Sequence, residues 1–127
     1  MYDSFNAIID EEKLIFFKKI TGDINPLHLI DDYAIEKGFN ARVVHGMLTA
    51  SFYSKLIGVY LPGENSLIHS IDTKFLNPVY LNDELEISGE LSYINNSMRQ
   101  LEVACKIVNQ NNIKVSTALI KVGFLND

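Results

Sequence analysis

The sequence has no tryptophan, one cysteine and three prolines, and its 11 basic residues are outnumbered by 16 acidic ones. The single cysteine, Cys105, excludes an intrachain disulfide. It falls on the apolar face of an alternating pattern, so we interpret it as a buried structural thiol and not as a nucleophile. The net charge of −5, without a stretch that clusters lysine and arginine, argues against nucleic acid as a partner.

Long hydrophobic runs are also absent, and no segment approaches the length that spans a bilayer. The first residues, Met1 to Ser4, lack the basic and apolar parts of a signal peptide. We therefore expect a cytoplasmic protein without membrane contacts. The 127 residues, of which 47% are hydrophobic, can build one domain with a core but not two. We expect a single domain over residues 1–127.

Helical patterns lie in the first half of the chain. Apolar residues at helical spacing predict a helix over Glu11–Ile20, capped at its start by Asp10. A second, short helix is predicted over Tyr33–Lys37, with Asp31 or Asp32 as its cap.

The segment Gly46–Tyr60 has one charged residue, Lys55, and almost no polar face, which predicts a helix that is buried on nearly all sides. Beyond it the hydrophobic pattern changes to period two, which is typical of strands. Helices followed by antiparallel strands indicate an α+β fold, with a curved sheet around the buried helix. The predicted strands are Ser66–Phe75, one around Leu85–Leu91, one around Leu101–Ile107, Ile113–Phe124 and a weaker one near Phe5–Ile9.

Asp23 and His28 stand five positions apart in a segment that we do not expect to be regular helix. Pro26 disfavours the helical conformation at Asn25, and Gly22-Asp23 is itself a turn signal. A loop that presents a carboxylate and an imidazole together supplies a general base and a general acid at one point. The residue types alone also leave open a plain turn, or a metal site completed by His45, but nothing in the spacing favours a metal.

Five motifs follow one another along the chain: Thr21-Gly22-Asp23-x-Asn25-Pro26-Leu27-His28, Val44-His45-Gly46-Met47, Leu61-Pro62-Gly63, Phe75-x-Asn77-Pro78-Val79 and Asp83. Taken together, they resemble the MaoC-like dehydratases, a family that includes the (R)-specific enoyl-CoA hydratases. The resemblance covers roughly Phe16 to Ser88 and implies a hot-dog fold, in which an antiparallel sheet wraps a long central helix.

The resemblance implies reversible syn hydration of a trans-2-enoyl thioester, carried by coenzyme A or by acyl carrier protein, to the (R)-3-hydroxyacyl thioester. Asp23 and His28 match the family's catalytic pair, which would hold and activate one water. Gly46 matches its oxyanion-hole glycine, and Asn25 matches a motif position that shapes the loop or adds a hydrogen bond. Ser54 matches a serine near the water site. His45 belongs to the motif, and we interpret it as structural.

Two other functions stay open, a hot-dog thioesterase and a non-catalytic acyl-thioester binding protein. Many hot-dog thioesterases place a carboxylate on or beside the central helix, and Val44–Leu61 contains no Asp or Glu, which favours the hydratase. The presence of both Asp23 and His28 weighs against a protein that only binds. The resemblance also implies a homodimer, because an isolated hot-dog protomer leaves a sheet edge uncovered. We expect neither a cofactor nor a metal.

Overall fold

The computed structural model describes residues 1–125 as a five-stranded antiparallel sheet that curves around a central helix. The strands lie side by side in the order β1-β3-β4-β5-β2. In chain order the elements are β1 (Tyr2–Ile8), α1 (Glu11–Thr21), α2 (Pro26–Leu29), α3 (Asp31–Glu36), α4 (Gly46–Lys55) with a π-helical continuation over Leu56–Tyr60, β2 (Ser66–Phe75), β3 (Glu84–Asn95), β4 (Gln100–Val108) and β5 (Lys114–Phe124).

The predicted strands are confirmed, including the weak one at the start of the chain. The tight turn between β4 and β5 is built by Asn109, whose side-chain oxygen accepts the backbone N–H groups of Asn111 and Ile113. Register is set by apolar alternation: the inward residues of β4 and β5 are buried, and a slip by one residue would turn them to solvent. Cys105 lies on this inward face, and burial raises the pKa of its thiol to about 12, so it is inert at neutral pH.

Helix α4 packs one face into the concave side of the sheet. Tyr53, Leu56 and Ile57 are fully buried there, and the Tyr53 hydroxyl donates to Ser116 Oγ of β5 at 2.8 Å. The prediction of burial on nearly all sides is wrong, since Met47 and Val59 are each 63% exposed. The sheet covers one side of the helix, and no other part of residues 1–125 covers Met47 and Val59. In residues 1–125 no helix is both long enough and apolar enough to cross a membrane.

The short helices differ from the predictions at their ends. Asp10 caps α1 as expected, since its side chain accepts the Lys13 N–H. Asp31 and Asp32 form the first turn of α3 and do not cap it; the residue at the cap position is Ile30. Asp31 instead accepts the backbone N–H of Arg42 at 3.0 Å, which ties α3 to the segment leading into α4.

The packing of α4 gives a test of stability. Replacing Ile57 by Ala removes a side chain that is 1% exposed, and should lower the free energy of unfolding by about 2 to 5 kcal/mol. The matched control is Val59→Ala, on the same helical segment but 63% exposed, for which we expect a change within about 0.5 kcal/mol. Urea denaturation of both variants measures the difference, and equal losses would contradict the one-sided packing of this helix.

Candidate active site

The segment after α1 is shaped by three successive hydrogen bonds from side chain to backbone. Thr21 Oγ1 accepts the Asp23 N–H at 3.1 Å, Asp23 Oδ1 accepts the Asn25 N–H at 3.1 Å, and Asn25 Oδ1 accepts the Leu27 N–H at 3.0 Å. Gly22 permits this path because it ends α1 in the left-handed region, with φ of 74°. The spacing of the motif thus has a local cause: each polar residue satisfies the backbone two positions on.

His28 lies in the one-turn helix α2, which Asn25 caps, whereas we predicted a loop without regular helix from Asp23 to His28. Pro26 opens this turn, a position where its fixed φ and missing N–H are tolerated. The His28 ring is oriented by the Val43 carbonyl, 2.7 Å from Nδ1. A carbonyl only accepts, so Nδ1 carries the proton and donates it, and in the neutral ring Nε2 is left as an acceptor.

His45, which immediately precedes α4, is buried against both of these segments. Its exposure is 1%, and its Nε2 lies 3.3 Å from the backbone carbonyl of Asp23. Its ring stacks on that of His28 with centroids 4.0 Å apart, and Phe17 of α1 packs on it at 4.9 Å. The Nδ1 atom of His45 has no hydrogen-bond partner among residues 1–125.

Gly46 is the first residue of α4, where the backbone N–H has no partner within the helix. A Cβ at this position would lie 3.1 Å from two ring carbons of Phe75, closer than ordinary contact. The missing side chain therefore leaves room for a ligand carbonyl to approach the N–H. The partial positive charge of a helix N-terminus favours an oxygen that gains negative charge there.

These groups share a cavity of about 520 Å³ between the Asp23 segment, α4 and β2. A second cavity of about 360 Å³ lies beside it and shares His28 and Gly46 as lining residues. Both cavities are lined mostly by apolar surface, and His28 and Gly46 are the residues that they share. The first cavity is lined by Phe17, Thr21, Asp23, His28, His45, Gly46, Met47, Ala50, Ser51, Ile71 and Thr73.

Residues 4–113 match the family model of the MaoC like domain. The chain belongs to this family. Among curated relatives, it is 32% identical to 3-hydroxybutyryl-CoA dehydratase of Methylorubrum extorquens, over 90% of this chain and 73% of that one. It is 38% identical to the (R)-specific enoyl-CoA hydratase of Aeromonas caviae, over 60% of this chain and 57% of that protein. The predicted family is confirmed, and the names of these relatives agree with the predicted hydro-lyase class.

Solved structures of the MaoC-like family superimpose on nearly the whole chain. The (R)-hydratase of A. caviae involved in PHA biosynthesis matches with a TM-score of 0.92 and 27% identity, covering 98% of this chain and 94% of that one. An R-hydratase of Pseudomonas aeruginosa in its unliganded form matches with a TM-score of 0.91 and 27% identity, covering 100% of this chain and 81% of that one. The predicted α+β hot-dog fold is confirmed.

The structure brings Asp23, His28 and Gly46 together but does not bring Ser54 to them. Ser54 is exposed and absent from the lining of this cavity, whereas Ser51, nearer the start of α4, is part of it. The physical reason is distance along the axis, because the eight residues from Gly46 to Ser54 advance about 12 Å in an α-helix. Asn25 also stays outside the lining, and its side chain caps α2.

Sequence reasoning missed Thr73 and Ile71 of β2, which line the cavity opposite α4. A signal was present, since residues 71, 73 and 75 alternate on one face of a predicted strand. Thr73 is held in place by bonds to β5: its Oγ1 donates to the Thr117 carbonyl at 3.0 Å and lies 3.3 Å from Ser116 Oγ.

One donor atom each from Asp23, His28 and His45 lies within 4.8 Å of the others, as a metal site would require. The two imidazole planes, however, are stacked and only 30° apart. The lone pairs of imidazole nitrogens lie in the ring plane, so nearly parallel stacked rings do not converge on one ion as tetrahedral coordination demands. The orientation of the two rings therefore does not favour a metal ion at these three residues.

Burial lowers the pKa of His45 below its ordinary value of 6.5, and the neighbouring His28 acts in the same direction against the raising effect of the Asp23 backbone bond. Below pH 6.5 His45 is therefore protonated in the unfolded chain, whereas in the folded chain it stays neutral to a lower pH. We expect the free energy of unfolding to fall as the pH drops through 6.5, and this loss to level off below the folded pKa. Urea denaturation from about pH 8 to 5 measures this dependence. In the His45→Phe variant the part of this pH dependence that comes from His45 should disappear. Identical pH profiles of stability in the wild type and the variant would contradict the lowered pKa of His45.

Proposed function

We propose that this chain catalyses the reversible addition of water to a trans-2-enoyl thioester, giving the (R)-3-hydroxyacyl thioester. The observation that carries the proposal is the meeting of Asp23, the bare Nε2 of His28 and the Gly46 N–H at one cavity. This set supplies an acceptor for the water proton, a second acceptor that orients the water, and a donor for the thioester oxygen.

The pair acts on one water. A water that donates one hydrogen to an Asp23 carboxylate oxygen and the other to His28 Nε2 directs its lone pairs towards C3 of the enoyl group. Asp23 takes a proton as the hydroxyl forms its bond to C3, and a proton returns to C2 from the same side through the Asp23–His28 pair. Hydroxyl and hydrogen thus add to one face, and dehydration follows the same steps in reverse. Asp23 is exposed in the single chain, so water has access to it.

Gly46 stabilises the charge that the attack creates. As the C3–O bond forms, the electrons of the double bond move towards the thioester carbonyl, whose oxygen becomes enolate-like. The Gly46 N–H, fixed at the start of α4, donates to that oxygen without having to reorganise. Removing one donor of this kind typically costs about 10²–10³ in kcat.

We further propose that the acyl group is carried by coenzyme A or by acyl carrier protein, and that the protein acts in the cytoplasm. Relatives are named both for coenzyme A substrates and, in Arabidopsis thaliana, for acyl carrier protein. The mostly apolar lining of the two cavities fits an acyl chain on either carrier. The reduced, buried Cys105 is compatible with the cytoplasm as the site of action.

Asp23→Asn tests the reaction. The amide keeps the shape of the carboxylate but cannot accept the proton, so hydration of crotonyl-CoA should fall by about 10²–10⁴. Loss of the enoyl-thioester absorbance measures the rate, and chiral analysis of the product checks that it has the (R) configuration.

Asp32→Asn is the matched control, since Asp32 is an exposed acid in the first turn of α3, outside the cavity. It should retain the wild-type rate. Release of free thiol from the substrate would instead identify a thioesterase. A wild-type rate in Asp23→Asn would remove Asp23 from the mechanism, and the absence of turnover with crotonyl and longer thioesters on both carriers would leave a binding protein.

We also propose that the protein is a homodimer. The three residues Met47, Ile71 and Phe75, here named the uncovered wall, lie beside the cavity and are 63%, 45% and 52% exposed. Ile71 and Phe75 pair with Ile120 and Ser116, which are buried, and so belong to the inward face of the sheet. Apolar side chains that face inward yet remain half exposed favour a second copy as their cover.

Ile71→Lys should dissociate the dimer, because it places a charge in the uncovered wall. Light scattering should give the wild-type protein twice the 14.4 kDa mass of one chain, and the variant the mass of one. Leu119→Lys is the control, on the outward face of β5 and similarly exposed at 41%, and it should remain dimeric. A monomeric wild-type protein at micromolar concentration would refute the proposal.

A further inference from the structure

The His45 side chain contacts both segments of the proposed catalytic pair. Its Nε2 lies 3.3 Å from the Asp23 carbonyl, and its ring faces that of His28 at 4.0 Å. It also precedes Gly46 in the chain, so its backbone sets where α4 begins. The Asp23 segment, the His28 ring and the start of α4 therefore all meet at His45.

The hydrogen bonding of His45 is unusual for a residue that serves packing alone. Because the Asp23 carbonyl can only accept, Nε2 carries the proton, and Nδ1 is left as a buried acceptor with no partner among the described residues. An unsatisfied buried polar atom typically costs about 1–3 kcal/mol. A leucine or phenylalanine at this position would bury no such polar atom, so packing alone does not account for the imidazole.

We propose that His45 is a positioning residue, which holds the Asp23 segment through its backbone carbonyl and supports the His28 ring by stacking, so that both face one water. This inference rests on the proposed function. His45 itself does not exchange protons with the substrate. The Phe17 ring of α1 packs against the His45 ring, with 4.9 Å between the ring centroids.

The charge state of His45 follows from its neighbours. The titratable groups of the described chain that act on it are Asp23, from the segment after α1, and His28, from α2; Phe17 on α1 and the start of α4 contribute none. A proton on His45 would place a buried charge beside the His28 ring, although the charged ring would still donate its Nε2–H to the Asp23 carbonyl. Acid should therefore disturb the contact with His28 and leave the bond to Asp23 in place.

Two substitutions separate the two contacts. His45→Phe keeps a stacking ring and removes the donor to Asp23. His45→Gln keeps an amide N–H of similar reach and removes the ring. His69→Gln is the matched control, since His69 is an exposed histidine on β2 that bonds Gln100 and lines neither cavity.

Kinetics on crotonyl-CoA give the first readout. A misplacement of about 1 Å in a catalytic group can cost about 10² in rate, so we expect His45→Phe to lower kcat by about tenfold to a hundredfold. KM should stay within about twofold, because the residue holds catalytic groups and not substrate. His45→Gln should recover part of the loss, and His69→Gln should match the wild type. The acid limb of the wild-type kcat profile should change in His45→Phe.

NMR gives a second readout that does not need turnover. The amide of Ile24 shares its peptide unit with the Asp23 carbonyl, so its chemical shift reports the bond from His45. It should move in His45→Phe and return towards the wild-type value in His45→Gln. The His28 ring signals should move in His45→Gln, which lacks the stacked ring.

The outcomes separate this inference from the proposed function. Wild-type kcat in folded His45→Phe and His45→Gln, or unchanged Ile24 and His28 signals in both, would overturn it. A change in KM alone would make His45 a substrate contact instead. Should the wild-type protein fail to hydrate any enoyl thioester, the proposed function falls, and the NMR shifts alone decide whether His45 holds Asp23 and His28.

Discussion

The packing of α4 into the concave sheet is the contact on which the site depends. Tyr53, Leu56 and Ile57 are fully buried in that contact, and the Tyr53–Ser116 hydrogen bond limits the rotation of the helix. With its body held, the N-terminus of the helix cannot shift, so His45 and the Gly46 N–H keep their places. The hydrophobic free energy of burying one helix face thus helps to hold the polar groups at the N-terminus of the helix in position.

Hydrogen bonds between segments then fix the positions of Asp23 and His28, the proposed catalytic pair. Val43, just ahead of α4, donates its N–H to the Leu27 carbonyl at 3.0 Å and accepts from His28 Nδ1 at 2.7 Å. Two bonds from one residue fix α2 and select the tautomer of His28. The Asp23 segment is shaped by its own turn bonds and is linked to α4 through His45. Two backbone carbonyls, those of Val43 and Asp23, thus orient the rings of His28 and His45.

Sequence patterns predicted the strands and α1 well, because alternation, helical spacing and an Asp cap are properties of neighbouring residues. They were wrong where the role of a residue depended on competing local effects or on residues distant in the sequence. Asn25-Pro26 reads as a helix breaker, yet it starts the one-turn helix α2, since Pro is tolerated in the first turn and Asn caps it. Asp31 looked like a cap, but Arg42, distant in sequence, offers it a backbone donor.

By itself the sequence determined the family and the order of the strands, and its motifs named Asp23, His28 and Gly46 as candidate site residues, since motif residues and turn chemistry are written in the chain. Only the tertiary structure decided that Ser51 and not Ser54 lines the cavity, that Thr73 and Ile71 line it from β2, and that His45 contacts both the Asp23 carbonyl and the His28 ring. The reason is physical: side-chain periodicity and turn bonds act over a few residues. Burial, stacking and cavity shape arise from contacts between segments that the chain separates and only the packed core brings together.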